Sequence, residues 1–267
     1  MAAAVPYIDL GDISQLSRGY REKRKKKQPA ILPFNTGVAG PGTGLGVALL
    51  AHINGEHIPI PSEGGHTTFS PEDARQQAYY DYLRENVTQD RAPDIELVAS
   101  GKGMVNIFRF LDKGELPNNR DYRRFTENVI RARANREWKR FAAKLDKLKD
   151  SEAGIELRKA YQGRFFHPVF DYMVEMFLEG LGQGIRHTAN AFACYDGGVF
   201  IEGGNARRLT KEIKSSEHLS RSLRLVFPDS HREKIANMPI FLIEGDANKY
   251  AGTLGSAVTS FKDAGYI

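Results

Sequence analysis

The sequence predicts an α/β fold, and three observations lead there. Short apolar segments bounded by glycines and an Asn-Gly pair read as strands. Longer segments with apolar residues at three- and four-residue steps read as helices. The two kinds are mixed along the chain, with helices set between groups of strands. With 267 residues, 41% hydrophobic and 27% charged, the chain has ordinary globular composition and can bury a sizeable core in one large domain or two small ones.

Taken in order, residues 30–39 are rich in β-formers, and Pro33 predicts an edge strand or a bulge. Glycines follow at 40, 42, 44 and 46, and residues 47–53 form a second apolar run. Asn54-Gly55 is a tight-turn signal, so residues 56–60 pair back as a third strand. From Ser70 the pattern is helical. Ser70-Pro71-Glu72-Asp73 reads as an N-cap with proline at the first helical position and acids in the first turn. Ser100-Gly101 precedes a short helix carrying Val105, Ile107, Phe108 and Leu111. Residues 121–149 place Tyr122, Phe125, Val129, Trp138, Phe141, Leu145 and Leu148 on one face of an amphipathic helix or helix pair. Residues 169–192 are apolar nearly all round, as in a helix buried against a sheet. Short strands are expected at 198–201 and 239–243, and a closing helix at 252–261. No internal repeat is visible.

Composition also narrows the class. The single cysteine, Cys194, cannot form an internal disulfide, and nothing calls for an oxidising compartment. The start of the chain has neither a basic opening nor a long apolar run, and no stretch is long enough to span a bilayer. A soluble cytoplasmic protein with no membrane partner is expected. Net charge is +5, much of it in Arg18, Arg21, Lys23, Arg24, Lys25, Lys26 and Lys27, against Glu22 alone. Such a run is either a solvated loop or a surface for an acidic partner. Without interleaved aromatics or a recognisable module, no nucleic-acid partner is expected.

Three motifs can carry chemistry. In Gly40-Pro41-Gly42-Thr43-Gly44-Leu45-Gly46, glycines let backbone N–H groups approach a phosphate and the threonine hydroxyl adds a donor. The alternative is a tight hairpin. No Lys-Ser/Thr follows, so it is not a P-loop, and the strand after it argues against a dinucleotide fingerprint. In Ser62-Glu63-Gly64-Gly65-His66, two glycines can reverse the chain and gather a carboxylate and an imidazole for neighbouring hydroxyls; a plain surface turn is the alternative. In Gly197-Gly198-Val199-Phe200-Ile201-Glu202-Gly203-Gly204, a buried strand with glycine pairs at both ends either admits a flat ligand or serves packing alone.

Together and in this order the motifs resemble the bacterial-type glucokinase family. Residues 40–48 resemble its second phosphate loop, and Ser62 through Pro71 its sugar-binding turn. Ile95-Glu96-Leu97-Val98-Ala99-Ser100-Gly101, with Gly103-Met104-Val105-Asn106, resembles the segment with a further sugar-binding glutamate. Residues 197–204 resemble the adenosine-side strand and turn, and residues 1–6 resemble the helix after the family's Asn-Asp pair. The resemblance implies an actin-like ATPase (ribonuclease H-like) fold, mainly the large domain with remnants of the small one. It assigns residues 1–28 to a small-domain remnant and basic linker. Residues 29–244 would be the large domain, with a helical insertion near 139–163, and 245–267 a helix returning to the small domain.

By position, Glu63, His66 and Glu96 would bind glucose hydroxyls. Gly42, Thr43 and Gly44 would contact ATP phosphates, and Gly203 and Gly204 would lie near the adenosine. The resemblance implies ATP-dependent phosphorylation of D-glucose with Mg²⁺, in a cytoplasmic protein and a homodimer. The family's Asp-x-Gly-Gly-Thr-Asn loop and Asn-Asp pair, whose aspartate takes the proton of the 6-hydroxyl, have no counterpart in this sequence. Asp9 and Asp12 do not match that motif, so no catalytic residue is assigned. Turnover is therefore expected of a longer parent, the alternative being a non-catalytic sugar- or nucleotide-binding relic.

Overall fold

The Asn54-Gly55 pair turns the chain tightly, both residues at positive φ (52° and 85°), as such a pair should. It joins β3 (Leu45–Ile53) to β4 (Glu56–Ser62), antiparallel with Ile53 opposite Glu56. At its other end β3 returns through Gly42, Thr43 and Gly44 to β2 (Thr36–Pro41), with Pro41 opposite Leu45. Adding β1 (Ile13–Gln15), β5 (Val199–Ile201) and β6 (Ile240–Ile243) completes a six-stranded sheet in the order β1-β6-β5-β2-β3-β4. β5 runs parallel to β2 and to β6, while the other pairs are antiparallel, so the sheet is mixed. The structure, a computed structural model, describes residues 13–15, 33–111, 166–215, 217–224 and 229–244.

Two expectations about the first strand are corrected. It starts at Thr36, and it lies inside the sheet between β5 and β3. Pro33 sits ahead of it, so the missing N–H falls outside the ladder and imposes no edge position. The prolines that do mark an edge are Pro59 and Pro61 of β4.

Helix α1 (Ala74–Asn86) begins four residues after Ser70. Asp73 is its N-cap: its backbone is extended and its carboxylate accepts Gln76 N at 2.8 Å. Glu72, expected in the first turn, instead meets Arg186 at 2.6 Å. Helix α2 (Gly101–Leu111) is capped by buried Ser100, whose hydroxyl accepts Gly103 N at 3.0 Å. Helix α3 (Phe166–Phe192) follows, then the short helices α4 (Gly204–Arg208), α5 (Thr210–Ser215), α6 (Glu217–Arg224) and α7 (Asp229–Asn237).

The core lies between α3 and one face of the sheet. Phe177, Leu181, Ile185 and Ala189, spaced by four residues, are fully buried together with Ala39, Val199 and Ile201. Truncating such a side chain to alanine typically costs about 2–5 kcal/mol. The nearly all-apolar character expected of α3 has paired exceptions. Glu179 meets Arg75 at 2.6 Å, Gln76 at 2.9 Å and His218 at 3.0 Å, and Arg186 meets Glu72 and the Ser222 carbonyl. Buried charges persist only when paired, and this network fastens α1 and α6 to α3. Among the described residues no helix is long and apolar enough to cross a membrane. The helices expected over 121–149 and 252–261, the insertion near 139–163, the basic run 18–27, residues 1–6, Asp9 and Asp12 lie outside the described residues.

Candidate functional site

Two one-turn 3₁₀ segments, Gly64–His66 and Ile95–Leu97, lie side by side. Backbone hydrogen bonds zip them together: Phe69 N donates to Pro93 O at 2.9 Å and Ile95 N to Thr67 O at 2.8 Å. Asp94 fastens both turns. One carboxylate oxygen accepts Leu97 N at 3.2 Å, and the other meets His66 Nδ1 at 2.8 Å. That hydrogen bond raises the His66 pKa, against a smaller opposing effect of burial, and the charges of Glu96 and Glu63 add to the rise. With Nδ1 engaged, Nε2 is the free ring nitrogen, 3.9 Å from Glu63 Oε2. The Glu63 side chain is 93% exposed, so it waits at the rim.

Glu96 is the anchored member. Its Oε2 accepts Leu45 N at 3.0 Å, across the chain from the glycine hairpin, and its Oε1 meets Lys102 Nζ at 3.2 Å. From below, the fully buried Tyr79 donates its hydroxyl to Leu97 O at 2.8 Å, and Ser100 Oγ donates to Glu96 O at 2.6 Å. Burial keeps the Tyr79 phenol well above its ordinary pKa. Thr67 donates its hydroxyl to Gly64 O at 3.0 Å, so its contact with His187 Nδ1 at 3.1 Å must be accepted from an Nδ1–H. Burial lowers the His187 pKa, and the Arg186 charge adds to the fall.

The glycine loop is a hairpin, the plainer of the two readings above. Gly42 N donates to Gly44 O at 2.8 Å across the three-residue turn. Gly42 O accepts Gly101 N at 2.8 Å and Asn205 Nδ2 at 2.6 Å, and Thr43 O accepts Lys102 N at 3.3 Å. The loop is thus clamped between the start of α2 and α4. Gly203, at φ 113°, packs against Pro41 and brings the second glycine pair beside the first loop. Gly44 has a structural reason to be glycine, since a β-carbon there would strike the Glu96 carboxylate. Gly42 and Gly204 have none. Among the described residues, a β-carbon on Gly42 would touch only Gly44 O, at 3.9 Å, and one on Gly204 would meet nothing within 4 Å. Such glycines leave room for something outside the chain to approach backbone.

The structure therefore brings Glu63, His66 and Glu96 to one place, and sets Gly42, Thr43, Gly44, Gly203 and Gly204 beside it. Sequence reasoning missed Asp94, Lys102, Asn205 and His187. Asp94 had a signal, an Asp one residue before a short turn, which is an N-cap pattern. The others act through contacts between distant segments. Glu202 was also missed. It ends β5 fully buried, neither carboxylate oxygen has a hydrogen-bond partner among the described residues, and burial pushes its carboxyl up to about 7. Among the described residues no three His, Cys, Asp or Glu side chains gather to hold a metal ion, so Mg²⁺ does not fit a cage built by these side chains.

Comparison with known proteins bears on the family and the fold. The chain is 30% identical over 234 residues to the glucokinase of Shigella flexneri, covering 86% of this chain, and 29% identical to that of Escherichia coli O139:H28. It spans 59% of the length of these curated relatives. Among solved structures it is similar to a glucokinase from an Antarctic psychrotroph (TM-score 0.62, 21% identity, 97% of this chain and 65% of that one). It is also similar to the glucokinase of Leishmania braziliensis (TM-score 0.64, 14% identity, 96% and 61%) and to that of Balamuthia mandrillaris in complex with glucose (TM-score 0.61, 18% identity, 96% and 62%). These likenesses show the fold, the actin-like α/β architecture expected above. The sequence profile of the glucokinase family matches residues 1–262, and the chain belongs to that family.

Proposed function

We propose that this chain forms the hexose- and nucleotide-binding part of an ATP-dependent kinase that phosphorylates D-glucose at its 6-hydroxyl. One observation carries this: the Glu96 carboxylate is hydrogen-bonded to Leu45 N, on the strand that leaves the glycine hairpin. The hexose-side residues and the phosphate-side loop are thereby one structure. In this reading Glu63, His66 and Glu96 take neighbouring sugar hydroxyls. Carboxylates accept from them, and the free nitrogen of His66 accepts when the ring is neutral and donates when it is protonated. The ATP phosphates lie against Gly42, Thr43 and Gly44; the Gly42 N–H is already given to Gly44 O, so Thr43 and Gly44 supply the backbone donors, and the open surface at Gly203 and Gly204 takes the adenosine. Phosphoryl transfer depends mostly on placing the two reactants and stabilising charge, which suits a site made of anchored carboxylates and exposed backbone. Mg²⁺ belongs here only as a companion of the nucleotide phosphates. A cytoplasmic location and a homodimer accompany the same proposal.

The test has two parts. Glucose-dependent ADP formation by the purified chain is measured in a coupled assay, and glucose and ATP are titrated separately by calorimetry. Binding of both ligands is the expected result. Glucose binding without ADP formation assigns the chain a binding role alone. Silence in both titrations overturns the proposal.

A further inference from the structure

We propose that Lys102 is the phosphate-facing cation of this site, held on Glu96 until the phosphoryl end of a nucleotide takes it. Lys102 stands where the two halves of the site meet. Its backbone N–H donates to Thr43 O, at the tip of the glycine hairpin, at 3.3 Å. Its ammonium lies 3.2 Å from Glu96 Oε1. The same carboxylate abuts Gly44, where a β-carbon would collide with it, so the ammonium is within reach of the loop as well as of the hexose side.

Burial separates the two partners. The Lys102 side chain is 53% exposed and that of Glu96 only 14%. Glu96 cannot follow the lysine outward, because its other oxygen is fixed on Leu45 N and its backbone carbonyl on Ser100. Lysine can leave, since its charge rides on a flexible four-carbon stem with three rotatable donors. An ion pair this exposed contributes little, and a phosphate group offers more charge and more acceptor oxygens than one carboxylate oxygen. The loop itself supplies no cation. The start of α2, an eleven-residue helix, adds the positive end of its dipole on the same side.

Transfer of the ammonium from Glu96 to phosphate also bares Glu96 Oε1, which a sugar hydroxyl can then use. Lys102 in this way links the two ligands. The inference rests on the function proposed above, and the experiment separates the two.

Adenosine, AMP, ATP and glucose 6-phosphate are titrated by calorimetry into the chain and into Lys102→Met and Lys102→Arg, with thermal melts confirming that each variant folds. The expected result is a roughly tenfold loss of ATP affinity in Lys102→Met, partly restored in Lys102→Arg, with adenosine unchanged. The salt dependence of ATP binding should also become shallower in Lys102→Met. Equal ATP affinity in the chain and Lys102→Met overturns the inference, as does a parallel loss for adenosine and ATP, which would mean a packing role. A loss confined to glucose 6-phosphate overturns it too, by placing the cation on the sugar side. A chain that binds neither ATP nor glucose sinks the proposed function itself.

Discussion

Gly64-Gly65 and Gly203-Gly204 read alike in sequence, yet the fold uses them in opposite ways. Gly65 is buried against the Leu45 carbonyl so closely that a β-carbon would overlap it. Gly204 is exposed, with nothing among the described residues near the place of a β-carbon. The first pair lets the Gly64–His66 turn press against β3 and present the side chains of Glu63 and His66. In the second, Gly203 turns the chain at φ 113° against Pro41, and Gly204 is the member that leaves open room. A glycine motif therefore has two distinct causes, close packing within the chain and free room beside it, and the letters do not separate them.

The largest effect should come from breaking this contrast at its packed end. Gly65→Ala should cost about 3 kcal/mol or more, read as a fall in the urea midpoint, because Leu45 lies in β3 and its backbone cannot yield. If Gly65→Ala folds as well as the parent chain, the packing account of that turn is wrong.

Next in size is Glu202, buried at the end of β5 with no hydrogen-bond partner among the described residues. Its folded-state pKa is raised from 4.5 to about 7, chiefly by burial. The folded chain holds that proton more tightly than the unfolded one. The stabilising contribution is complete below the ordinary carboxyl value and is lost as pH rises towards about 7. Glu202→Gln should then be more stable than the parent at pH ~8 by about 2 kcal/mol and nearly equal to it at pH ~4, in thermal melts across that range. A gain that does not depend on pH would refute the assignment.

At the open end, Gly204→Ala should change folding stability by no more than about 0.5 kcal/mol. It should weaken ATP binding roughly tenfold, since the new methyl group fills space the ligand needs. Undiminished ATP affinity would remove Gly204 from the nucleotide surface. The smallest effect is expected on the hexose side. Asp94→Asn removes the charge that holds His66, so the imidazole should titrate closer to its ordinary value when followed by NMR. The raised His66 pKa means that this contact stabilises the fold most below pH ~6.5 and fades as the ring loses its proton. His66 is 55% exposed, so the contribution is under about 1 kcal/mol. Glucose affinity should fall severalfold, and an unshifted His66 titration would break the link to Asp94.

Much of this was legible before the fold was known, for reasons that stay local. Asn54-Gly55 is a turn because both residues tolerate positive φ, and α3 announces itself through apolar residues on nearly every side. Glu63 and His66 come together because only a one-turn segment separates them. The errors were local competitions decided by tertiary contacts. Ser70 lost the cap of α1 to Asp73 while Glu72 was taken by Arg186 from α3. Pro33 predicts an edge or a bulge, yet the strand simply starts beyond it. What could not be read is what joins distant segments. Asn205 reaches Gly42 across 163 positions, and Glu96 reaches Leu45 across 51. No periodicity or spacing encodes such partners.

Strand β3 has two turns, one at each end, and they differ in how much rewriting they tolerate. At the Gly42-Thr43-Gly44 end, the Leu45 amide is committed to Glu96 and the loop carbonyls to Gly101, Lys102 and Asn205. One inserted residue there would slide the amide off the carboxylate and disturb the Glu96 contact and the glycine loop at once. At the Asn54-Gly55 end the residues are exposed, and a side chain added at Gly55 would meet nothing within 4 Å. That tip is where a tag, a fluorophore or a grafted peptide can be spliced in, putting a reporter at the far end of a strand whose other end carries the proposed ligand site.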